Sequence, residues 1–270
     1  MKNIIGLTGS SGSLGKELIR NNKGKKFIHF KHDITDREKV FRWVEKNNFK
    51  IVIHLAARVP IKEVNKNREK AKKINYFGTK NLVDACIKEN INWFFFASTS
   101  HVYKSSNKKI SENTPTAPIS FYGKTKLQAE NYIIKNFEKH QIKYCIGRIF
   151  STTNINQKKN YLVPDLKNKI KKCKKVITLK NLNHYRDFIS MKDISKIILV
   201  LLKKRFQGII NLGTGEKVYL KKIALIISKK YKKSLIFLDN KDATFLVADV
   251  KKLKKIYKRK LSTRIEKMIF

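Results

Sequence analysis

Cysteines and long hydrophobic runs are scarce in this sequence. The three cysteines, Cys86, Cys145 and Cys173, have no paired spacing, so we expect neither a disulfide framework nor a cysteine-based metal site. Unpaired cysteines indicate a reducing, cytoplasmic setting. The most apolar internal segment, residues 197–202, is far too short to span a bilayer, and residues 1–12 do not resemble a secretory signal. The sequence therefore predicts no metal site and no membrane partner.

Acidic residues are also few. The 270 residues include 20 acidic and 62 basic side chains, which gives a formal net charge of +42. Such a charge can indicate nucleic-acid binding, because clustered cations release counterions from phosphates. However, only ten of the basic residues are arginine, the lysines are spread along the whole chain, and no zinc-finger or aromatic RNA-binding pattern accompanies them. We interpret the lysines as solvated surface residues that attract anionic ligands and expect no specific nucleic-acid partner; a nucleic-acid binder stays as an alternative.

Short apolar runs alternate with segments of helical periodicity. The predicted strands are residues 3–9, 26–30, 50–57, 93–98 and 143–149, and helical periodicity is found at residues 36–48 and 74–90. Strands that are apolar on both faces and alternate with helices predict an α/β fold with a Rossmann-type doubly wound parallel sheet. This regularity fades after about residue 150. We therefore predict that residues 1–150 form the sheet domain and that residues 151–270 form a smaller lobe interleaved with it.

Three glycines, Gly9, Gly12 and Gly15, follow the first predicted strand. Glycines at this spacing between a strand and a helix bare backbone N–H groups toward a pyrophosphate, because side chains there would obstruct the turn, the phosphate or the helix packing. The spacing alone also fits an ordinary strand–helix turn. Its place at the start of an α/β pattern favours dinucleotide binding.

The end of the second predicted strand bears on the choice of dinucleotide. Phe30 and Lys31 stand where an acid would grip a free ribose hydroxyl. A basic residue there can accommodate a 2′-phosphate, so the sequence mildly favours NADP over NAD. Asp33 is expected either to meet the adenine edge or to serve as a turn or cap residue before the next helix.

Tyr122 and Lys126 lie four residues apart in a predicted helix and so share one face. An ammonium beside a phenol favours phenolate, so we expect Lys126 to lower the pKa of Tyr122 and to make it a proton donor and acceptor. In so lysine-rich a chain the two could also be a surface pair. The strand ends at residues 97–100, which supply hydroxyls, and at residues 54–57, which supply small side chains, favour catalysis.

Together these motifs resemble the extended short-chain dehydrogenase/reductase superfamily, specifically the NAD-dependent epimerase/dehydratase family that acts on nucleotide sugars. The resemblance covers nearly the whole chain. In chain order the matching segments are TGSSGSLG (8–15), HDITD (32–36), VIHLAA (52–57), INYFGTKNLVDAC (74–86), STSHVY (98–103), YGKTK (122–126), YRDFISMKDI (185–194) and NLGTGEKVYLKKIA (211–224).

The resemblance implies an enzyme with an NAD(P)-binding domain and a catalytic triad. Thr99 would hydrogen-bond the reacting sugar oxygen, Tyr122 would transfer its proton, and Lys126 would bind the nicotinamide ribose. The implied cofactor site consists of Gly9, Ser11, Gly12, Ser13, Leu14, Gly15, Asp33, Ile34, Leu55, Ala56, Ala57, Asn75, Tyr122, Lys126 and Ile149.

The resemblance also implies a substrate site in the smaller lobe and at the strand ends. Its residues are Thr99, Ser100, Ser151 and Arg186. Arg186 would grip the nucleotide diphosphate with its planar fork, although it could instead form a surface ion pair with Asp187. Ser151 departs from the asparagine usual in the family.

Ser100 and His101 decide against one branch of the family. Dehydratases carry an acidic pair at these positions, so dehydration is disfavoured; His101 could be a second acid or a structural residue. The short chain, the compact stretch before Asp33 and the STSHVY segment resemble the reductases of deoxysugar synthesis, which implies a reductase of 4-keto-6-deoxy nucleotide sugars. A 4-epimerase with retained NAD and a non-catalytic NAD(P)-binding regulator remain alternatives. By analogy, residues 74–90 and 122–138 could pair two copies through a four-helix bundle.

Overall fold

The computed structural model describes residues 4–22, 24–59, 61–104, 106–155, 157, 160–240 and 242–270. Its elements up to residue 149 are β1 (Ile5–Thr8), α1 (Ser13–Asn21), β2 (Phe27–His29), α2 (Arg37–Asn47), β3 (Ile51–His54), α3 (Ile61–Lys66), α4 (Arg68–Lys72), a π-helical turn (Lys73–Phe77), α5 (Gly78–Lys88), β4 (Trp93–Thr99), a 3₁₀ turn (Ser100–Val102), α6 (Phe121–Lys139) and β5 (Lys143–Ile149). The later elements are β6 (Ser151–Thr152), α7 (Leu162–Lys172), β7 (Val176–Lys180), β8 (His184–Arg186), β9 (Phe188–Ile189), α8 (Met191–Lys203), β10 (Gly208–Leu212), β11 (Val218–Tyr219), α9 (Leu220–Tyr231), β12 (Ser234–Leu238), β13 (Thr244–Leu246), α10 (Lys251–Ile256) and α11 (Glu266–Ile269).

A six-stranded sheet in the order β10-β5-β4-β3-β1-β2 forms the centre of the molecule. All of its pairings are parallel, with Gly6 opposite Ile28 on one side and Val52 on the other. The chain winds from β1 to β2 in one direction and from β3 onward in the other, so the winding reverses between β1 and β3. Ligands bind outside the carboxyl ends of the strands at such a reversal. The predicted α/β class with a doubly wound parallel sheet is confirmed.

Apolar side chains fill both faces of the sheet. Successive strand residues point to opposite faces, so the aromatic run in β4 divides between them. Trp93 and Phe95 belong to the core that contains α1 and α8, whereas Phe94 and Phe96 belong to the core that contains α2, α5 and α6. Burying each of these side chains stabilises the fold by about 1.5–3 kcal/mol, which explains why this strand reads as a continuous apolar run.

Helix α6 is positioned by its first turn. The Ser120 hydroxyl accepts a hydrogen bond from the Gly123 N–H at 3.0 Å and caps the helix. A Cβ on Gly123 would lie 2.2 Å from the carbonyl oxygen of His101, so only glycine lets the helix pack against the 3₁₀ turn. The helix then buries one face, including Lys126 and Glu130, against the sheet.

The chain after residue 150 contributes β10 and α8 to the central layers and also builds three small sheets, β11-β8-β13, β12-β7 and β6-β9. A separate apolar core lies between α7 and α9 and includes Leu166, Ile170 and Ile227. The division of the chain at residue 150 stays a prediction. Among the helices within the described ranges, none combines the length and the apolarity that crossing a membrane requires.

Candidate active site

A cavity of about 1010 Å³ opens at the carboxyl ends of the central strands. The predicted site residues that line it are Gly9, Ser11, Gly12, Ser13, Leu14, Gly15, Asp33, Ile34, Leu55, Ala56, Ala57, Thr99, Tyr122, Ile149, Ser151 and Arg186. Motifs that are far apart in the sequence therefore meet in one cavity. Three predicted residues, Asn75, Ser100 and Lys126, lie outside this lining set.

The glycine turn has no room for side chains at two positions. Gly9 has a φ of +73°, and a Cβ there would lie 2.5 Å from the backbone nitrogen of Ala56. A Cβ on Gly15 would lie 2.4 Å from the carbonyl oxygen of Gly9. Gly12 caps helix α1 and supplies no side-chain acceptor to the first-turn N–H groups, and the first turn lies at the cavity. This geometry fits an anionic group at the helix N-terminus, such as a pyrophosphate.

One end of the cavity is formed by residues 30–34. The carboxylate of Asp33 accepts hydrogen bonds from the N–H of Thr35 at 2.9 Å and from its hydroxyl at 2.8 Å. Asp36, not Asp33, caps α2 by accepting from the N–H of Lys39 at 3.1 Å. Asp33 is thus a turn residue at the cavity edge, and Lys31 lines the same end.

Thr99, His101 and Tyr122 meet at the other end. The ring centroids of His101 and Tyr122 are 6.0 Å apart with an edge-on orientation, and the N–H of His101 donates to the Thr99 hydroxyl at 3.3 Å. Burial raises the pKa of Tyr122 above its ordinary value, with a smaller opposing effect of the Thr99 hydroxyl. The prediction that the pKa of this phenol is lowered is therefore wrong for the protein by itself. Burial, with the nearby charge of Arg186, lowers the pKa of His101 to about 4, so its imidazole is neutral at pH 7.

Lys126 is buried beneath this end of the cavity rather than exposed on the helix surface. Lys126 is 1% exposed, and its Nζ lies 3.8 Å from the centroid of the Phe96 ring. Burial lowers the pKa of Lys126 to about 7, and Glu130 opposes that effect. The alternative of a surface Tyr–Lys pair is wrong, because an ammonium in this place is removed from water.

Asn75 and Ser100 are buried behind the residues that line the cavity. The amide oxygen of Asn75 accepts from the N–H of Arg58 at 2.7 Å, and its nitrogen donates to the Arg58 carbonyl at 3.2 Å and to the Thr125 hydroxyl at 3.3 Å. Asn75 lies in the π-helical turn, a feature that is frequent at functional sites. It thereby connects the loop after β3 to helix α6. Ser100 is buried in the 3₁₀ turn, where its carbonyl accepts from the N–H of Tyr103 at 3.1 Å.

Arg186 reaches the cavity from the small sheets. It donates to the carbonyls of Tyr185 at 2.8 Å and of Thr244 at 3.2 Å, and burial lowers its pKa to about 10, so it stays charged. The neighbouring Asp187 turns away and accepts from the N–H groups of Thr214 and Gly215, each at 2.8 Å. The alternative of a surface ion pair between Arg186 and Asp187 is wrong, because Asp187 is buried and holds the loop after β10.

Some lining residues were not predicted. They are Ser10, Val59, Ile74, Phe150, Thr152, Asn160, Tyr161, Leu162, Leu182 and His184 among others. Tyr161 is close enough to Tyr122 to raise its pKa. In the sequence, Tyr161 is only an aromatic residue between a polar stretch and the apolar start of α7. This pattern is too common to indicate a site. Within the described ranges, no cluster of three or more His, Cys, Asp or Glu side chains could hold a metal ion.

Comparison with known proteins identifies the family. The model of the GDP-mannose 4,6 dehydratase family matches residues 7–268. The chain belongs to this family. The resemblance inferred from the motifs, to the NAD-dependent epimerase/dehydratase group of extended short-chain dehydrogenase/reductases, is confirmed, and so is the prediction of an enzyme of this group.

Two curated relatives cover most of the chain. GDP-6-deoxy-D-talose 4-dehydrogenase of Aggregatibacter actinomycetemcomitans is 30% identical over 220 residues, which cover 77% of this chain and 74% of the relative. dTDP-4-dehydro-6-deoxyglucose reductase of Escherichia coli is 26% identical over 288 residues, which cover 93% of this chain and 90% of the relative. Among solved structures, the UDP-glucose 4-epimerase of Thermus thermophilus in complex with NAD has the same fold, with a TM-score of 0.81 at 21% identity over 93% of this chain and 92% of that chain.

Proposed function

We propose that this protein is an NAD(P)-dependent oxidoreductase that reduces the 4-keto group of a 4-keto-6-deoxy nucleotide sugar. The observation that carries the proposal is that the glycine turn and the pair of Thr99 and Tyr122 line one cavity. A dinucleotide whose pyrophosphate sits at the turn would extend along the strand ends toward this pair. The names of the two curated relatives both concern the 4-position of a 6-deoxy nucleotide sugar, which supports the substrate class.

The cavity fits either NAD or NADP, with a mild preference for NADP from Lys31. Gly9, Gly12 and Gly15 line the part of the cavity where a pyrophosphate would lie, and Leu55 and Ala56 line it as well. The remaining cofactor residues are proposed to be Ser11, Ser13, Leu14, Asp33, Ile34, Ala57 and Ile149 at the cavity wall, with Asn75 and Lys126 behind it. The bound nicotinamide would supply the hydride for the sugar carbon.

In this reaction Tyr122 would donate a proton to the sugar oxygen. Its raised pKa keeps the phenol protonated near neutral pH, and a protonated phenol is the form that reduction of a ketone consumes. The Thr99 hydroxyl would hydrogen-bond the same oxygen and orient it. Arg186 would bind the nucleotide diphosphate, with Ser151 nearby, because a planar guanidinium matches phosphate oxygens in pairs.

A 4-epimerase with retained NAD is the second candidate, because it would use the same residues and one protein of this fold is a UDP-glucose 4-epimerase bound to NAD. Dehydration is disfavoured by the neutral side chains of Ser100 and His101 after Thr99, where water elimination would need a further acid and base. A non-catalytic NAD(P)-binding regulator would not need a Thr99, Tyr122 and Lys126 set. A homodimer through residues 74–90 and 122–138 and a cytoplasmic location stay predictions.

The test measures nicotinamide absorbance while the purified protein meets nucleotide sugars and their 4-keto-6-deoxy forms, with NADH and NADPH supplied separately and products identified by mass and retention time. Stoichiometric loss of one reduced cofactor with one keto sugar is the expected result. Interconversion of two sugars without net loss of cofactor would replace the reductase by the epimerase. Cofactor binding without turnover on any sugar would favour the regulator, and salt-dependent retention on DNA without cofactor binding would favour the nucleic-acid binder.

A further inference from the structure

Glu130 is a buried carboxylate that the proposed reaction does not use. It lies on α6 one helical turn after Lys126, and it is 0% exposed. Its two oxygens accept from Nε of Arg148 at 3.2 and 3.1 Å, and one also accepts from Nη2 of Arg148 at 2.7 Å. The Ser98 hydroxyl donates to the same carboxylate. Burying a charged carboxylate costs free energy even when it is hydrogen-bonded and ion-paired, so a fully buried glutamate is an uncommon group in a protein core.

The partners of Glu130 adjoin the candidate active site, because Ser98 lines the cavity and Arg148 precedes a residue that does. Ser98 precedes Thr99 on β4, and Arg148 precedes Ile149 on β5. Glu130 therefore joins helix α6 to the two strands whose last residues line the cavity. The guanidinium carbon of Arg148 lies 4.7 Å from the centroid of the Tyr103 ring, which closes the cluster on its far side.

Lys126 has Glu130 as its anionic neighbour. The titratable or charged groups that face it are Tyr122 and Glu130 on its own helix and His54 on β3, with Arg148 on β5 behind Glu130. The neighbouring β4 presents the uncharged ring of Phe96. The π-helical turn presents Asn75, which is also uncharged and is hydrogen-bonded to Thr125. Burial alone would favour a neutral amine in such a place.

We propose that Glu130, held in place by Arg148 and Ser98, is a positioning residue that keeps Lys126 in its charged form beneath the cofactor and sugar. The role of Lys126 toward the ligands rests on the proposed function; its charge state in the protein alone does not. Burial lowers the pKa of Lys126 to about 7 and the negative charge of Glu130 opposes this shift, so the charge of Lys126 at neutral pH depends on Glu130. Arg148 partly offsets that attraction while fixing the carboxylate.

Two variants at position 130 should separate an effect of charge on Lys126 from an effect of packing. Glu130→Gln removes the attracting charge and leaves Arg148, so Lys126 should lose its proton at a pH lower by about one unit. Glu130→Asp keeps a carboxylate beside Arg148, so the midpoint of Lys126 should stay closer to that of the unsubstituted protein. A purely structural role would instead lower the stability of both variants and leave the midpoint of Lys126 unchanged.

The first readout uses the protein without cofactor. In protein labelled with [13C]lysine, the resonance that titrates near pH 7 and disappears in Lys126→Met is that of Lys126, because ordinary lysines titrate near 10.4. The expected result is a midpoint that falls in Glu130→Gln and falls much less in Glu130→Asp. A midpoint that stays unchanged in Glu130→Gln, or that falls equally in both variants, would overturn the proposal. If a single variant fails to fold, Glu130→Gln combined with Arg148→Gln removes both charges, and a lowered midpoint supports the proposal while an unchanged or raised one overturns it.

The second readout is the pH profile of turnover. We expect the alkaline limb of kcat to move to lower pH in Glu130→Gln and to move much less in Glu130→Asp, with a smaller change in KM. Shifted NMR midpoints with no turnover in the unsubstituted protein would overturn the proposed function and leave the charge relation of Glu130 and Lys126 intact. Turnover with unshifted midpoints would overturn the charge relation of Glu130 and Lys126 and leave the proposed function intact.

Discussion

The two walls of the cavity are built differently. The sheet wall, formed at the ends of β1 to β5, rests on buried polar groups that are paired across long sequence distances: His54 with Thr8 and Thr79, and Glu130 with Arg148. The lobe wall, formed by residues 151–188 that line the cavity, has one such buried group beside it, Asp187, and is supported mainly by sheets of two or three short strands. One of these, β12-β7, leaves its outer face uncovered, with Val176 54% and Ile236 50% exposed.

This difference separates the roles that the two walls can have. Buried polar groups whose partners come from other elements fix side-chain positions before a ligand arrives, which suits cofactor binding and proton transfer. A wall of short strands tolerates sequence change more readily, which suits the recognition of one sugar and one nucleotide among many. We therefore expect changes on the sheet wall to affect cofactor binding and chemistry, and changes on the lobe wall to affect substrate binding.

The largest expected effect comes from Tyr122→Phe on the sheet wall. Removing the hydroxyl removes the proton donor, so kcat should fall by about 10²- to 10⁴-fold while cofactor affinity stays the same. Tyr161→Phe is the matched control, because this second phenol lines the cavity from the lobe wall, and its kcat should change far less. Full activity of Tyr122→Phe would remove the proposed mechanism, and equal losses in both variants would remove the distinction between the walls.

Gly9→Ala should weaken cofactor binding by more than about tenfold, because the new Cβ would enter the space of Ala56. Gly24→Ala provides the control: Gly24 also has a positive φ, +83°, but nothing lies within 4 Å of its Cβ position. Gly24→Ala should lose about 1 kcal/mol of stability from backbone strain, and Gly9→Ala should lose more, because its Cβ also meets the backbone of Ala56. Fluorescence titration with the reduced cofactor separates the two effects. Equal cofactor affinity in the two variants would mean that the turn does not hold the cofactor.

The sheet wall was also the part that the sequence predicted well. Each of its five predicted strands forms within a few residues of the predicted bounds, because long apolar runs and glycine turns are local signals. The partners of Glu130 could not be predicted, because Glu130 lies on helix α6 while Ser98 and Arg148 lie on strands β4 and β5. The raised pKa of Tyr122 was missed for a related reason, since burial depends on the whole cavity.

The lobe wall was predicted much less completely. Its strands have two to five residues, too few for an alternating pattern to be recognised. β12 pairs with β7 across more than 50 residues, and strand β10 completes the central sheet although the sequence marks only the glycines that follow it. Arg186 was found through a motif, whereas Tyr161 and Leu182 have no motif and reach the cavity only through tertiary structure.

Arg186→Lys tests the lobe wall. The substitution keeps the charge but loses the planar fork, so KM for the nucleotide sugar should rise by about tenfold with little change in cofactor affinity. Steady-state kinetics and cofactor titration on the same preparation measure both quantities. Arg42→Lys, at an exposed position of α2, should change neither. A loss of cofactor affinity equal to the rise in KM would show that the two walls are not functionally separate.

The smallest expected effect is on acid stability and concerns the packing beneath the sheet wall. His54 is buried between Thr8, whose hydroxyl lies 2.6 Å from Nδ1, and Thr79, whose hydroxyl lies 2.9 Å from Nε2. The Thr79 hydroxyl donates to the carbonyl of Asn75 at 2.8 Å, so Nε2 carries the proton and donates to Thr79, while Nδ1 accepts from Thr8. The neutral ring is thus fully paired, and burial followed by the charge of Lys126 holds the pKa of His54 well below its usual value.

Because the unfolded chain binds a proton at His54 near pH 6.5 and the folded chain resists it, the free energy of unfolding should fall as the pH drops below about 6.5. The slope from this histidine is at most about 1.4 kcal/mol per pH unit. Urea denaturation between pH 5 and 7 measures the slope, which should be smaller in His54→Gln and unchanged in His140→Gln, at an exposed position. His101, with its pKa lowered to about 4, contributes the same slope to all three proteins. Identical slopes in His54→Gln and the unsubstituted protein would mean that the stability of the sheet wall does not depend on a neutral His54. That result would contradict the view that paired buried polar groups support this wall.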